Sequence, residues 1–556
     1  MNHGRRKLLV EMATGTGKTR VAAALVKRLF DTNVITRVLF LVDRITLARQ
    51  AEDAFAEHLP DFPAYVARAG RRFQDEKRIT ITTLQTMINE YAGYSSGYFD
   101  LVFTDECHRS IYGKWRGILE HFDGIQIGLT ATPCTVRDVD RLADPEDAAF
   151  VRDTLRFFEV TEPTYRYTLK EAIREGYLVP YHIYKALTVK TAAEGGFDVR
   201  RDELDWTAMD DATRDELETL FGEQDSMTVD PSALERKFTI PERNRAIVRE
   251  FREVMDNGFT ARSGVRRAPQ RGKTIVFAVT KRHAETLAQM FDREFADKKP
   301  SPNVRYADFV VSGPGEDSTL DAATRIERFR KEPFPQIMVS VNMLDTGFDF
   351  DEVVNLVMAR FTRSVVLYRQ MRGRGTRRAD HIKKVAFTLF DFVGVTDFHG
   401  DDEDISESGE IFVRPKPPTK PGEPRRLLML DVHDHIDPIT RDWITLDDEG
   451  NLVREPAAEA RAHALGLRFE AWLQERSFDS DQMRLLRMME SQIKANADTV
   501  AAFEAHLFGH HPFSLTGGYQ RAVQVFGSEE ALNTLLADLN RSVFGAGRGL
   551  ENGLPQ

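Results

Sequence analysis

Cysteine is nearly absent from this chain: two residues in 556, Cys107 and Cys134. That excludes a disulfide scaffold and a cysteine-based zinc site, and it fits a reducing cytoplasm. Long apolar runs are missing too. None reaches the length needed to span a bilayer, and the stretch after the basic start, Met1-Asn-His-Gly-Arg-Arg-Lys7, is too short for a signal peptide. The expectation is a cytoplasmic protein with no membrane partner. Positive charge is in deficit: 76 Lys and Arg against 87 Asp and Glu, net −11. This argues against non-specific coating of nucleic acid but leaves room for a local basic groove, since phosphate affinity depends on where the cations sit. There are no repeats. The ordinary 42% hydrophobic and 29% charged composition is that of a globular protein of about three domains on the usual size prior.

What is present begins with Ala13-Thr14-Gly15-Thr16-Gly17-Lys18-Thr19, set between an apolar run, Leu8 to Val10, and a helical periodicity, Val21 to Leu29. Strand, glycine loop and helix form a phosphate-binding loop: backbone N–H groups turn inward and the helix N-terminus adds positive potential. Met12 stands where the strict pattern has its first glycine; Gly15 and Gly17 still supply the turn. Thr14 to Thr19 are the expected nucleotide-binding residues, with Lys18 on the β- and γ-phosphates and Thr19 on Mg²⁺. A second apolar run, Asp100 to Phe103, leads into Thr104-Asp105-Glu106-Cys107-His108. A carboxylate at a strand end beside the loop suits Mg²⁺, which assigns Asp105, and Glu106 is placed to take a proton from the attacking water. His108 alone is ambiguous.

The first third alternates strands (38–42, 79–83, 125–129) with helical stretches, as a doubly wound parallel sheet does. A second alternation starts near Lys273, with strands at 274–278, 337–341 and 353–358 and a helix over 281–291, but no phosphate loop. The expected domains are 1–180, an acidic connector or insertion over 181–245, a second αβ domain over 246–400, a Pro/Lys-rich linker over 401–440, and a mainly helical region over 441–556 that opens with a hairpin over 444–453. The histidine groups at Asp431–His435 and at His506, His510 and His511 lack complete ligand sets and read as polar loop and surface helix.

Further segments fall in a fixed order: Phe40-Leu-Val-Asp-Arg44 with Leu47-Ala-Arg-Gln50, Thr83-Leu-Gln-Thr86, Leu129-Thr-Ala-Thr-Pro133, Asp345-Thr-Gly-Phe-Asp349 and Gln370-Met-Arg-Gly-Arg-Gly-Thr-Arg377. The ordered set resembles superfamily 2 helicases and translocases. Its wording, with Tyr167 to Pro180 and a looser match in the tail (Asp481-Gln482, Pro512-Phe513, Gly517-Gly518, Leu539-Asn540), is similar to the motor (R) subunit of type I restriction enzymes. The resemblance implies two tandem RecA-like domains followed by a mainly helical C-terminal domain. It implies ATP and Mg²⁺ as cofactors, with Gly347 and Asp349 at the nucleotide, and Gln370, Arg374 and Arg377 acting across the cleft on the phosphoryl group. It implies nucleic-acid contacts at Arg44, Gln85, Thr86 and Thr346, and coupling of the two sites through His108, Thr130 and Thr132. The implied partners are double-stranded DNA, a methyltransferase–specificity core docked by the C-terminal domain, and a separate nuclease subunit. That family carries a nuclease domain before the motor; only a few residues precede the first strand here, so the expectation is a motor without its nuclease. A stand-alone helicase and a nucleotide-binding assembly subunit without turnover are the competing readings.

Overall fold

The computed structural model describes residues 5–68, 76–107, 111, 113–131, 145–188, 197–204, 206, 211–222, 224–229, 233–261, 264–311, 322–344, 348–399, 428–430, 434, 436–437, 440–447, 452–457, 469–474, 476–483, 486 and 523–539. The expected His108, Thr132, Thr346 and Gly347, the 401–427 part of the linker and most of the tail lie outside them.

The first domain is a seven-stranded, wholly parallel sheet. Its strands are β1 (Lys7–Met12), β2 (Val38–Val42), β3 (Ala64–Val66), β4 (Ile79–Thr83), β5 (Leu101–Asp105), β6 (Ile125–Thr130) and β7 (Tyr165–Tyr167), in the spatial order β3-β4-β2-β5-β6-β1-β7. Both faces are covered. Val38, Phe40 and Val42 of β2 pack with Ala22, Val26 and Phe55 of the helices Lys18–Asp31 and Ile45–His58. Leu39 and Leu41 point the other way, into a cluster with Ile118, Phe122 and Phe158. Period-two alternation with both faces buried explains why β2 reads as an unbroken apolar run.

The second domain repeats the plan. After β8 (Tyr181–Lys185) comes a small module with β9 (Phe197–Arg200), the helix Asp211–Phe221, β10 (Ser226–Val229) and β11 (Phe238–Thr239). A hairpin of β12 (Phe259–Thr260) and β13 (Arg266–Arg267) leads to β14 (Lys273–Phe277), β15 (Ala307–Val310), β16 (Ile337–Ser340), β17 (Val353–Met358) and β18 (Phe387–Asp391). Beyond the linker follow β19 (Leu428–Met429), β20 (Asp442–Leu446) and β21 (Leu452–Pro456). The second sheet runs β15-β16-β14-β17-β18-β8-β20-β21, parallel from β15 to β8 and closed by the antiparallel β20 and β21.

Two expected boundaries shift. Strand β8, placed by sequence in the acidic connector, is a strand of the second sheet, and so is the hairpin expected to open the helical C-terminal region. The reason is packing: Tyr184, Trp443 and Ile436 join one face of the second core, and Ile183 and Ile444 the other. The module between β8 and the second core has its own apolar cluster around Val199, Leu217 and Phe221. It is closed by Leu428 and Leu430, which arrive after the linker, with β19 pairing β11. Two tandem RecA-like layers are thus followed by a C-terminal region with helices, including Glu529–Leu539, where Asp538 accepts the Trp472 Nε1–H at 3.0 Å. Among the described residues no helix is long and apolar enough to cross a membrane.

Candidate functional site

Because every strand of the first sheet is parallel, the loops that carry chemistry leave the same rim. The phosphate loop follows β1, Asp43 and Arg44 follow β2, Leu84 to Thr86 follow β4, Asp105 and Glu106 close β5, and Thr130 closes β6. Gly15 and Gly17 have φ of 89° and 83°, the left-handed region that a Cβ disfavours. Thr16 braces the turn, its hydroxyl donating to the Ala13 carbonyl at 2.6 Å. Gly17 starts the Lys18–Asp31 helix without a side-chain cap, so the first amides of that helix face the loop.

Asp105 and Glu106 form the acidic side. The Glu106 N–H donates to Asp105 Oδ1 at 3.1 Å, and Glu106 has φ 47°, a conformation costly for a residue with a Cβ. Burial and the neighbouring Glu106 charge push the Asp105 carboxyl up to about 6, while Lys18 opposes the rise. The loop lysine therefore acts electrostatically on this acid. Thr130 is fully buried at the end of the intervening strand. Among the described residues, no group of three or more His, Cys, Asp or Glu side chains converges as a metal cage. A Mg²⁺ ion brought with a nucleotide takes fewer protein ligands, and Thr19 and Asp105 fit it.

The second domain meets this rim directly. The helix Val365–Arg372 and the turn after it press on the phosphate loop: the Thr376 hydroxyl donates to the Thr14 carbonyl at 3.3 Å. A Cβ on Gly373 would lie 2.5 Å from the Thr14 Cβ, so only glycine allows this approach. The connection back to domain one is tied to the same turn, the Val179 N–H donating to the Thr376 carbonyl at 2.8 Å. A cavity at the seam is lined by Glu11, Thr14, Arg166, Arg369, Arg372 and Thr376, among others.

The two arginines expected to cross the cleft part company. Arg374 is 4% exposed and turned into its own domain, donating from Nη1 to the Phe348 carbonyl at 2.6 Å and from Nε to the Gln370 carbonyl at 3.1 Å. Its geometry is that of a buried brace, in contrast to the crossing position expected for it. Arg377 lies against the loop. Its Cγ is 3.5 Å from where a Cβ on Gly15 would be, its Nε pairs with Asp349 Oδ1 at 2.5 Å, and its Nη1 is buried without a hydrogen-bond partner. Burial pulls its pKa below the usual value, opposed by Asp349 and Asp351. Asp349, expected at the nucleotide, therefore holds Arg377. Gln370 is buried in the helix leading to this turn.

Of the expected nucleic-acid residues, Gln85 is exposed and Thr86 is half-buried, its N–H capped by the Thr83 hydroxyl at 3.2 Å. Arg44 reaches across to the second domain, where its Nη1 donates to the Asn342 carbonyl at 3.3 Å. Sequence reasoning gave no role to Thr376, Asn342 or Arg360. An uncharged threonine inside a cationic motif, and polar residues at strand ends, carry no periodic or spacing signal.

Comparison with known proteins gives three family matches in chain order. The family "Type III restriction enzyme, res subunit" matches residues 1–135, "Helicase conserved C-terminal domain" matches 261–379, and "EcoEI R protein C-terminal" matches 446–543. The endonuclease subunit of the type I restriction enzyme EcoKI from Escherichia coli K12 is 29% identical over 443 residues, covering 74% of this chain. That of EcoAI from Escherichia coli is 27% identical over 415 residues, covering 72%. The chain spans 34% and 45% of the lengths of these two relatives. A fragment of an HsdR subunit of a type I restriction enzyme from Vibrio vulnificus YJ016 superposes with a TM-score of 0.50 at 25% identity, covering 72% of this chain and 63% of the fragment. The chain is thus similar to helicase-like proteins and, among them, to the R subunits of type I restriction enzymes.

Proposed function

We propose that this chain is the ATP-driven double-stranded DNA translocase motor of a type I restriction–modification or related phage-defence system. The single observation that carries the reading is Arg377: a guanidinium from the second domain, set against the phosphate loop of the first, with a buried Nη1 that lacks an acceptor. An unpaired buried donor is costly, and a phosphate oxygen in the loop would satisfy it. Lys18 and the loop amides hold the β- and γ-phosphates, Thr19 and Asp105 hold Mg²⁺, and Glu106 aligns the water. The metal neutralises charge on the phosphates when bound. Arg377 stabilises the charge that develops on the transferred group, and Asp349 keeps its side chain aimed. Loss of the γ-phosphate removes the link between the domains, and alternate closing and opening moves the pair along a phosphate backbone.

The partners follow from the same likeness: duplex DNA as track and a methyltransferase–specificity core bound through the C-terminal region. Phosphate release measured with and without duplex DNA tests the reading. Stimulation by DNA is expected, with displacement of a triplex strand but no separation of the duplex. Release that ignores DNA overturns the motor assignment. Strand separation without triplex displacement replaces the translocase with a helicase.

A further inference from the structure

Lys384 is a buried charge beside the site, and the proposed chemistry gives it no task. It closes the turn that Arg377 opens: its N–H donates to the Ala379 carbonyl at 3.2 Å, and the two residues form an antiparallel bridge. Its side chain is 3% exposed. The ammonium donates to the Asp351 carbonyl at 2.9 Å, and among the described residues it forms no ion pair. Arg377 grips the same short segment at its other end, through Asp349 Oδ1 at 2.5 Å. Between the two, Phe350 packs against Phe329 and Phe348. Two cations thus hold Asp349 to Asp351, one by a carboxylate and one by a backbone carbonyl. Burying an ammonium with no carboxylate bound to it costs stability, and a like charge nearby adds to the cost. An apolar side chain would serve packing alone better. The charged groups that face Lys384 are Arg377 and Asp351. Burial, then the Arg377 charge, bring its ammonium down to about 7, and Asp351 opposes them.

We infer that Lys384 is a positioning residue for Arg377: its buried ammonium fixes the Asp349–Asp351 segment and, by like-charge repulsion, keeps the Arg377 guanidinium turned towards the phosphate loop. This rests on the motor reading, in which Arg377 meets the transferring phosphoryl group. Asp349 is 64% exposed, so its own surroundings do little to hold it. The Lys384 bond to Asp351 holds the backbone that carries it. A cation on the second-domain side of Arg377 also favours negative charge on the cleft side, where the phosphoryl group develops it.

The test is steady-state hydrolysis of MgATP by the full chain on duplex DNA, across a pH series, with thermal melts alongside. The wild type is compared with Lys384→Met. Methionine fills similar space without the charge, so the variant should melt no lower than the wild type. Its kcat should fall on the order of 10²-fold, the cost of a slightly misplaced catalytic group, with KM little changed. The wild-type kcat should also show a limb that falls at or above about pH 7 as Lys384 loses its proton, since a bound phosphate strengthens the hold on that proton. Acids of the first domain give a limb of the opposite sign, because they act ionised. Lys384→Met should lack the falling limb, a change that a purely structural role would not produce. Wild-type kcat and pH profile in Lys384→Met overturn this role and leave the motor reading intact. A wild type without the falling limb overturns it too, whether or not the variant folds. A wild type that hydrolyses no MgATP overturns the motor reading and this role with it.

Discussion

Arg374 and Arg377 are three residues apart and carry the same charge, yet their surroundings assign them different tasks. Arg377→Ala should lower DNA-stimulated hydrolysis by roughly 10³–10⁵, the range for losing an arginine at a transferring phosphoryl group, with little change in melting temperature. Arg374→Ala removes donors to Phe348 and Gln370 from a buried position and should first appear as lost stability, by about 2–4 kcal/mol. Parallel kinetics and thermal melts of the two variants decide the division; the reverse pattern would sink it. Glu106 allows a second check. Its backbone is left-handed and its N–H bonds to Asp105. Glu106→Gln should still bind MgATP while hydrolysis falls by on the order of 10²–10⁴, as expected for loss of a base. Equal loss of binding, measured by nucleotide titration, would remove its catalytic role.

At the scale of elements, the turn after the Val365–Arg372 helix fits the phosphate loop only because position 373 has no side chain. Gly373→Ala should hold the two domains apart by about a methyl group and reduce kcat on the order of 10²-fold. Each domain should melt as before, since the methyl meets the other domain and not its own core. A near-normal kcat would mean that the approach seen here is not used in turnover. The helix Lys281–Glu294 supplies a pH-dependent test. Burial holds the His283 imidazole down to about 4, from an ordinary value near 6.5, with Arg243 pushing the same way and Glu235 opposing. Its ring accepts the Val279 N–H at 3.2 Å and so must stay neutral. Between those two pH values the unfolded chain binds the proton more tightly. The stability from this group is therefore complete above about pH 6.5 and is lost as pH falls towards 4, by about 3 kcal/mol. Urea unfolding at neutral and acidic pH should show this slope in the wild type and a shallower one in His283→Gln.

For the whole molecule, the proposed mechanism requires two sheets that share no strand. Residues 1–180 contain all of the first sheet, β1 to β7, with the loop and both acids. That fragment should bind nucleotide weakly and hydrolyse almost none, because Arg377 belongs to the second domain. Substantial DNA-stimulated hydrolysis by the fragment would overturn the two-domain mechanism. The hairpin β20–β21 adds a second long-range dependence. It is tied to the second domain by Arg441 on Glu250 at 2.5 Å and Arg267 on Glu455 at 3.1 Å.

The sequence by itself determined the local chemistry. Runs such as Val38 to Val42, buried on both faces, can only be inner parallel strands, and glycines at left-handed positions before Lys18-Thr19 can only be a tight turn into a helix. These depend on neighbours within a few residues, and such neighbours are written consecutively. What only the tertiary structure decided depends on residues far apart in the chain. Trp443 and Ile444 carry β20 into the second sheet across the linker, Arg374 finds its carbonyl acceptors within its own domain, and Arg377 finds a phosphate loop more than three hundred residues away. Arg44 and Asn342 are 298 positions apart, and nothing in either residue's surroundings announces the other. Spacing records periodicity along one element, whereas which charged side chain is paired inside its own domain and which faces the cleft is fixed by how two finished sheets dock.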